Sequence, residues 1–185
     1  MKTPEILYVD LDDTLNFYSL HLLSHKKDPT HFPQSEQGFY LSIKPIAEGI
    51  KSILELSTIY DIYFLTAPSL KNPHSYMEKR LWIEKHFGYE WVHKLIICNH
   101  KHLLIGNYLI DDCSSGKGQD KFTGELIHYG SSTYPSWDSI FNYLKTKHDN
   151  RVWYENTEKE ILKENFPEYY REGNITWVDD TKESF

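Results

Sequence analysis

Cysteine is scarce in this sequence, which has only Cys98 and Cys113 among 185 residues. Two isolated cysteines are too few for the disulfide framework of a small secreted protein or for a cysteine-rich zinc site. Long apolar runs are also absent. No segment approaches the ~20 residues of a membrane-spanning helix, and the first residues lack the apolar stretch of a signal peptide. We therefore expect a reduced protein in the cytoplasm that has no contact with a membrane.

Positive charge is in the minority as well. The sequence has 20 Lys and Arg residues against 27 Asp and Glu residues, which gives a formal net charge of -7. Such a chain has no general attraction for a polyanion, so we do not expect a nucleic acid polymer as partner. A local basic pocket for a single phosphate group is compatible with this charge, and a small phosphate ester is the expected partner. A homodimer is compatible with the sequence, which leaves the oligomeric state open.

Short apolar runs alternate with helical patterns along the chain. The runs read as buried strands of a parallel sheet and lie at residues 6–9, 59–65, 94–98, 108–110 and 125–129. The helical patterns lie at residues 46–57, 75–88 and 136–147. This alternation predicts an α/β fold, namely a Rossmann-like open parallel sheet flanked by helices.

Two segments do not follow the alternation. Residues 16–43, rich in His, Pro and Ser, are predicted to form a small helical cap insert over the site. The catalytic core is then expected to comprise residues 1–15 and 44–149. Residues 150–185 are predicted to form a C-terminal helical extension and an acidic tail.

Chemically active residues follow four of the predicted strands. Asp10 and Asp12 follow the first strand, Thr66 and Ala67 the second, Lys101 the third, and Asp111 and Asp112 the fourth. Ligands of open α/β sheets bind beyond the carboxyl ends of the strands, so these residues are expected to form one site.

Several carboxylates in one place repel one another and are costly to bury, so the cluster indicates a partner. A divalent cation would offset the repulsion, and Mg2+ suits a site of carboxylates and phosphate. Asp10 is then expected to attack a phosphate ester, with Asp12 as general acid and base. The pair Asp111 and Asp112 would supply further metal ligands.

The remaining residues of the predicted site would bind the phosphate. Thr66 and neighbouring backbone N–H groups, including that of Ala67, would hold the phosphoryl oxygens, and Lys101 would supply positive charge. Two other patterns are less informative. The pair Asp111 and Asp112 could instead cap a helix, and His21 and His25 have the spacing of zinc ligands but no evident further ligand.

These motifs resemble those of a known superfamily. "DLDDTL" at residues 10–15, Thr66, Lys101 and "DD" at 111–112 are similar to the four motifs of the haloacid dehalogenase-like phosphohydrolases. More narrowly, residues 64–112, with "FLTAPS" and "YMEKRLWIEKHFG", resemble the 5'(3')-deoxyribonucleotidases. The segment "IKPIAEGIKSIL" resembles the one that returns from the cap to the core in that family.

The resemblance implies a Mg2+-dependent phosphomonoesterase that forms an aspartyl phosphate and acts on deoxyribonucleoside monophosphates. Mg2+ would be bound by Asp10, the main-chain carbonyl of Asp12 and the Asp111–Asp112 pair, with Asp112 the preferred direct ligand. Ala67 departs from the family pattern, which usually has a second hydroxyl residue there. Asp13 replaces a small residue and gives a "DLDDT" close to that of phosphatases acting on protein tails.

Substrate recognition is less defined by the sequence. Phe17, Phe39 and Tyr40 of the insert are candidates for stacking on a base, and their alternative role is the core of a lid. Alternative functions are a phosphatase of this superfamily for a sugar phosphate or a phosphoprotein, and a phosphate-binding homologue without catalysis. The intact pair Asp10 and Asp12 counts against the latter. Base preference, sugar preference and the choice between 5' and 3' phosphates remain open.

Overall fold

A computed structural model of the protein describes residues 3–165, 170–171 and 174–175. The chain divides into two compact units, residues 1–143 and 144–185. The first unit contains the whole of the large sheet and every predicted site residue. The acidic residues at the end of the predicted tail lie outside the described residues.

The large sheet has five strands, and every pairing between them is parallel. The strands are β1 (Ile6–Val9), β2 (Asp61–Thr66), β3 (Leu95–Ile97), β4 (Tyr108–Asp111) and β5 (Glu125–His128), in the spatial order β3-β2-β1-β4-β5. Val9 pairs with Phe64 on one side and with Ile110 on the other, so the carboxyl ends of the three central strands lie level. The predicted open parallel sheet is confirmed, with strand ends within two residues of their predicted positions.

The described residues form four α-helices: α1 (Tyr18–His25), α2 (Ala47–Leu56), α3 (His74–Phe87) and α4 (Trp137–Asn165). The bounds of α2 and α3 each differ by one residue from the sequence prediction. Helix α4 starts where a helix is predicted but continues to Asn165, so the predicted boundary at residues 149–150 falls within it. None of the helices in the described part of the chain is both long and apolar enough to cross a bilayer.

The central strands owe their apolar sequences to burial on both faces. Leu7, Val9, Phe64, Leu109 and Ile110 are all inaccessible to solvent. Each such side chain stabilises the fold by about 1.5–3 kcal/mol relative to an exposed position. The sheet is therefore a rigid support for the residues that follow its strands.

Hydrogen bonds connect the insert, residues 16–43, to polar side chains of α3 and of the loop that precedes it. Asn72 Nδ2 donates to the carbonyls of Gln34 and Glu36 at 3.2 and 3.1 Å. The Glu78 carboxylate accepts from the N–H groups of Gly38 and Tyr40 at 2.6 and 2.9 Å. Trp82 Nε1 donates to the carbonyl of Ile43 at 2.8 Å. Because Asn72 and Glu78 are buried, these bonds form away from competing water and hold the second half of the insert in place.

Gly49 in α2 offers a test of how tightly this unit is packed. A Cβ at this position would lie 2.7 Å from Nε1 of the buried Trp137 and 3.0 Å from Cδ2 of Leu15. The indole cannot move freely, because its Nε1 donates a hydrogen bond to the carbonyl of Thr14 at 2.9 Å. Helix propensity alone favours alanine by about 1 kcal/mol, whereas overpacking costs about 1–3 kcal/mol.

A Cβ at 2.7 Å from the indole requires a side chain to move, so we expect the upper part of the overpacking cost to apply. Gly49→Ala should therefore lower the free energy of unfolding by about 1–2 kcal/mol, measured by urea denaturation. Lys51→Ala on the exposed face of the same helix is the control, and its effect should stay within about 0.5 kcal/mol. A Gly49→Ala protein as stable as the wild type would show that Trp137 is not fixed.

Candidate active site

Two carboxylates lie side by side at the point where the order of the strands in the sheet reverses. Chain progression runs from β1 outward to β3 and then returns to β4 on the other side of β1, so the switch lies between β1 and β4. Asp10 directly follows β1, and Asp111 is the last residue of β4. The N–H of Asp10 donates to the carbonyl of Ile110 at 2.9 Å, which continues the pairing of the strands. Crevices at such switch points are the usual ligand sites of open α/β sheets.

A buried lysine joins these two carboxylates. Lys101 lies in a short 3-10 turn after β3, and only 1% of it is exposed. Its Nζ lies 2.7 Å from Oδ1 of Asp10 and 2.5 Å from Oδ2 of Asp111. Burial lowers the pKa of this ammonium, but Asp10 and Asp111 outweigh that effect and raise the pKa to about 12. Lys101 is therefore charged at neutral pH.

One lysine does not offset the negative charge of the cluster. Burial, with the charges of Asp10 and Asp111, raises the pKa of Asp112 to about 6. Burial and the charge of Asp10 also raise the pKa of Asp111, although Lys101 opposes them. Ligand atoms of Asp111, Asp112 and Cys113 lie within 4.8 Å of one another. Carboxylate oxygens that hold excess negative charge are a donor set that fits a hard divalent cation such as Mg2+.

The neighbouring carboxylates differ in their hydrogen bonds. Both oxygens of Asp111 are engaged, since Oδ2 accepts from Lys101 while Oδ1 accepts from the N–H of Cys113 and from Gln119 Nε2 (3.0 and 3.2 Å). Asp112 has longer contacts, 3.5 Å from Oδ1 to the hydroxyl of Thr14 and 3.4 Å from Oδ2 to the thiol of Cys113. Asp112 is thus the less committed of the two carboxylates.

Asp12 contacts a second buried lysine, which the sequence did not predict as a site residue. Lys79 of α3 is 1% exposed, and its Nζ lies 2.6 Å from Oδ2 of Asp12 and 2.8 Å from Oγ1 of Thr66. The other oxygen of Asp12 accepts a hydrogen bond from Asn16 Nδ2 at 3.4 Å.

A signal for Lys79 exists in the sequence, but it requires knowing which face of α3 is buried. The buried residues follow helical periodicity: Ser75, Glu78, Lys79, Trp82, Ile83 and Phe87. The apolar part of this face lies toward the carboxyl end of the helix and the polar part toward the amino end, near the site. Met77 of the same helix is apolar but lies off this face and is 48% exposed.

The carboxylates open onto a cavity of about 470 Å³. Asp10, Asp12, Ala67, Lys101, Asp111 and Asp112 all line it. The structure therefore brings together six of the residues predicted for catalysis, metal binding and phosphate binding. The side chain of Thr66 is fully buried beside this cavity and contacts Lys79.

The predicted aromatic residues of the insert divide into two groups. Tyr40 lines the cavity, whereas Phe17 is 43% exposed and lines a separate surface cavity. Phe39 is 5% exposed and packs in an apolar cluster with Tyr40 and Ile43. Phe39 thus belongs to the core of the insert, in agreement with the alternative role predicted for it.

Two aromatic residues that sequence reasoning missed line the cavity together with Tyr40. The ring of Tyr18 stacks against that of Tyr40, with centroids 6.1 Å apart. Phe32 lies at the cavity with the ammonium of Lys71 4.7 Å from its ring centroid. No signal in the sequence distinguishes them from the other aromatic residues of the insert.

Comparison with known proteins agrees with this arrangement. Residues 18–141 match the family described as 5' nucleotidase, deoxy (pyrimidine), cytosolic type C protein. A protein of Vibrio phage KVP40 named as a 5'(3')-deoxyribonucleotidase is 32% identical over 147 residues, which cover 77% of this chain and 85% of that protein. The human cytosolic-type 5'(3')-deoxyribonucleotidase is 30% identical over 105 residues, or 56% of this chain and 46% of that protein.

The raised pKa of Asp112 has a consequence for stability. A carboxyl that ionises near pH 6 in the folded chain, against about 4 when unfolded, contributes stability that is lost as the pH rises between these values. In chelator at pH 7 we expect Asp112→Asn to raise the free energy of unfolding by roughly 1–2 kcal/mol, allowing for screening of a partly exposed group.

Measuring the free energies of unfolding at two pH values shows whether the gain comes from the charge of Asp112. The difference between Asp112→Asn and the wild type should become small near pH 4, where Asp112 of the folded chain is uncharged, as Asn is. The exposed Asp120→Asn is the matched control and should show no such pH-dependent gain. A gain that is equal at pH 4 and pH 7 would mean that charge repulsion is not its source.

Proposed function

The chain belongs to the 5'(3')-deoxyribonucleotidase family, and on that premise we propose that it hydrolyses deoxyribonucleoside monophosphates with the help of Mg2+. It is thus an enzyme of the phosphomonoesterase class. The observation that carries the proposal is the convergence of Asp10, Asp12, Asp111 and Asp112 with Lys101 on one cavity at the switch point of the sheet. The cytosolic type of the human relative supports a cytoplasmic location.

A divalent cation would be held by Asp10, the main-chain carbonyl of Asp12 and the Asp111–Asp112 pair. Asp112 is the better candidate for the direct ligand, because both oxygens of Asp111 are already committed to Lys101, Cys113 and Gln119. Mg2+, when bound, supplies positive charge that offsets the repulsion between these carboxylates and the phosphate of the substrate.

Asp10 would act as the nucleophile. Lys101 holds its Oδ1 and fixes the carboxylate at the end of a rigid strand. A carboxylate oxygen of Asp10 attacks phosphorus, an aspartyl phosphate forms, and the bond between phosphorus and the ester oxygen breaks. The ester oxygen leaves with the proton that Asp12 donates.

Asp12 would then serve as the base for the second step. It takes a proton from a water molecule, the oxygen of that water attacks phosphorus, and the bond to Asp10 breaks. Inorganic phosphate and the free Asp10 carboxylate result. Lys101, the hydroxyl of Thr66 and the backbone N–H of Ala67 would bind the phosphoryl oxygens through both steps.

The insert would provide the nucleoside subsite. Tyr18, Phe32 and Tyr40 line the same cavity as the carboxylates, and the insert is therefore proposed to act as a cap. Aromatic faces stack on any base, so these rings explain binding of a nucleoside without choosing among bases.

The substrate is tested by phosphate release from deoxy- and ribonucleoside 5'- and 3'-monophosphates, sugar phosphates and a phosphoserine peptide, each with Mg2+ and with chelator. We expect preference for deoxynucleotides and loss of release in chelator. Preference for a sugar phosphate or the peptide would contradict the proposed substrate but would leave the proposed phosphatase reaction in place. Binding of phosphate without release from any ester would instead favour a non-catalytic homologue.

The mechanism is tested by Asp10→Asn. We expect turnover to fall at least 10³-fold with little change of shape, because the amide is a poor nucleophile. Thermal unfolding should show a folded protein, and retention of activity near the wild-type level would exclude an aspartyl phosphate at this residue.

The nucleoside subsite is tested by Phe32→Ala. We expect the KM for a deoxynucleotide to rise about tenfold and that for deoxyribose 5-phosphate, which has no base, to change little. Phe17→Ala is the matched control in the same insert, since Phe17 lines a different cavity. Equal effects of Phe32→Ala on both substrates would remove this ring from base recognition.

A further inference from the structure

Lys79 has an environment that a merely structural lysine rarely has. Lysine is almost never fully buried unless it is paired, because burial of an uncompensated ammonium costs several kcal/mol. Here the ammonium donates to Oδ2 of Asp12 and to Oγ1 of Thr66, and it lies 5.0 Å from the ring centroid of Tyr40. Its hydrogen-bond partners come from the carboxyl ends of two different strands, since Thr66 is the last residue of β2 and Asp12 lies just beyond β1, and both belong to the site of the proposed reaction.

The direction of these hydrogen bonds matters for the chemistry. A lysine ammonium has three donors and no acceptor, so the Oδ2 that contacts Lys79 carries no proton. A proton that Asp12 gives to a leaving group must therefore reside on its other oxygen, Oδ1. In the same way Thr66 accepts from Lys79 through Oγ1, so the hydrogen of its own hydroxyl points elsewhere and is free to donate.

We propose that Lys79 is a positioning residue for the reaction: it fixes which oxygen of Asp12 carries the proton and directs the Thr66 hydroxyl as a donor to phosphate. The inference rests on the proposed function and extends it to a residue of α3 that touches neither the metal ligand pair nor Lys101. The adjacent Glu78 strengthens the placement, because it holds the backbone of the insert at Gly38 and Tyr40. Two consecutive residues of α3 thus hold both the proposed proton donor, Asp12, and the backbone of the insert.

The test compares leaving groups in the full-length protein. A deoxynucleoside 5'-monophosphate loses an alkoxide that needs a proton, whereas p-nitrophenyl phosphate loses a stable phenolate that does not. kcat/KM reports the first chemical step for both. We expect Lys79→Met to lower kcat/KM for the nucleotide about 100-fold and for the aryl phosphate tenfold at most. Equal losses for the two substrates, or no loss, would overturn the proposal.

Two further variants keep the test sharp. If Lys79→Met does not fold, Lys79→Gln takes its place. The glutamine amide is polar but uncharged, and it can accept as well as donate hydrogen bonds. We therefore expect the same unequal loss of kcat/KM for the two substrates. Lys94→Met is the matched control, because Lys94 forms an ion pair with Asp61 at 2.5 Å at the opposite end of β2. It should change the ratio of the two kcat/KM values less than about twofold, because neither Lys94 nor Asp61 lines the cavity of the site.

The wild type separates this inference from the proposed function. If the wild type cleaves sugar phosphates but no nucleotide, the proposed substrate fails, and Lys79 is judged by the same ratio with the preferred alkyl phosphate in place of the nucleotide. An unequal loss then supports the positioning role and an equal loss overturns it. If the wild type releases phosphate from no ester, both the function and the role of Lys79 are overturned.

Discussion

Repulsion among four carboxylates at one edge of the sheet is the constraint on which the site depends. Asp10, Asp12, Asp111 and Asp112 arrive there because three central strands end level and the strand order reverses between β1 and β4. Two buried lysines offset part of this charge, each from its own side of the site. Removing one partner from such a buried pair leaves an uncompensated charge, which typically costs about 3–5 kcal/mol.

The two lysines divide the carboxylates between them. Lys101 pairs with Asp10, which directly follows β1, and with Asp111, the last residue of β4. It thereby joins the proposed nucleophile to the carboxylates that are proposed to hold the metal ion. Lys79 pairs with Asp12, the proton donor of the proposed mechanism. Asp112 pairs with neither lysine, and its pKa is raised by burial and then by the charges of Asp10 and Asp111. The negative charge that the lysines do not offset is the physical reason to expect a cation among oxygen ligands.

The sequence predicted the sheet and most of the site because both follow from local patterns. Apolar runs located the strands, and the rule that ligands bind beyond strand ends assembled Asp10, Lys101 and Asp111 without any knowledge of their contacts. Lys79 was missed because a charged residue in an amphipathic helix is normally solvated, and only the packing of α3 shows that its buried face is partly polar. Helix α4 exceeded its predicted length because no Gly or Pro interrupts residues 148–165.

The fastening of residues 34–43 to Asn72, Glu78 and Trp82 has a consequence for the timing of catalysis. Hydrogen bonds from fixed side chains at each stage of this segment give it little freedom to swing as a hinged body. The part of the cavity wall that this segment supplies, with Gln34 and Tyr40, is therefore in place before a ligand binds. In the proposed reaction, release of product would then not depend on an opening movement of residues 34–43.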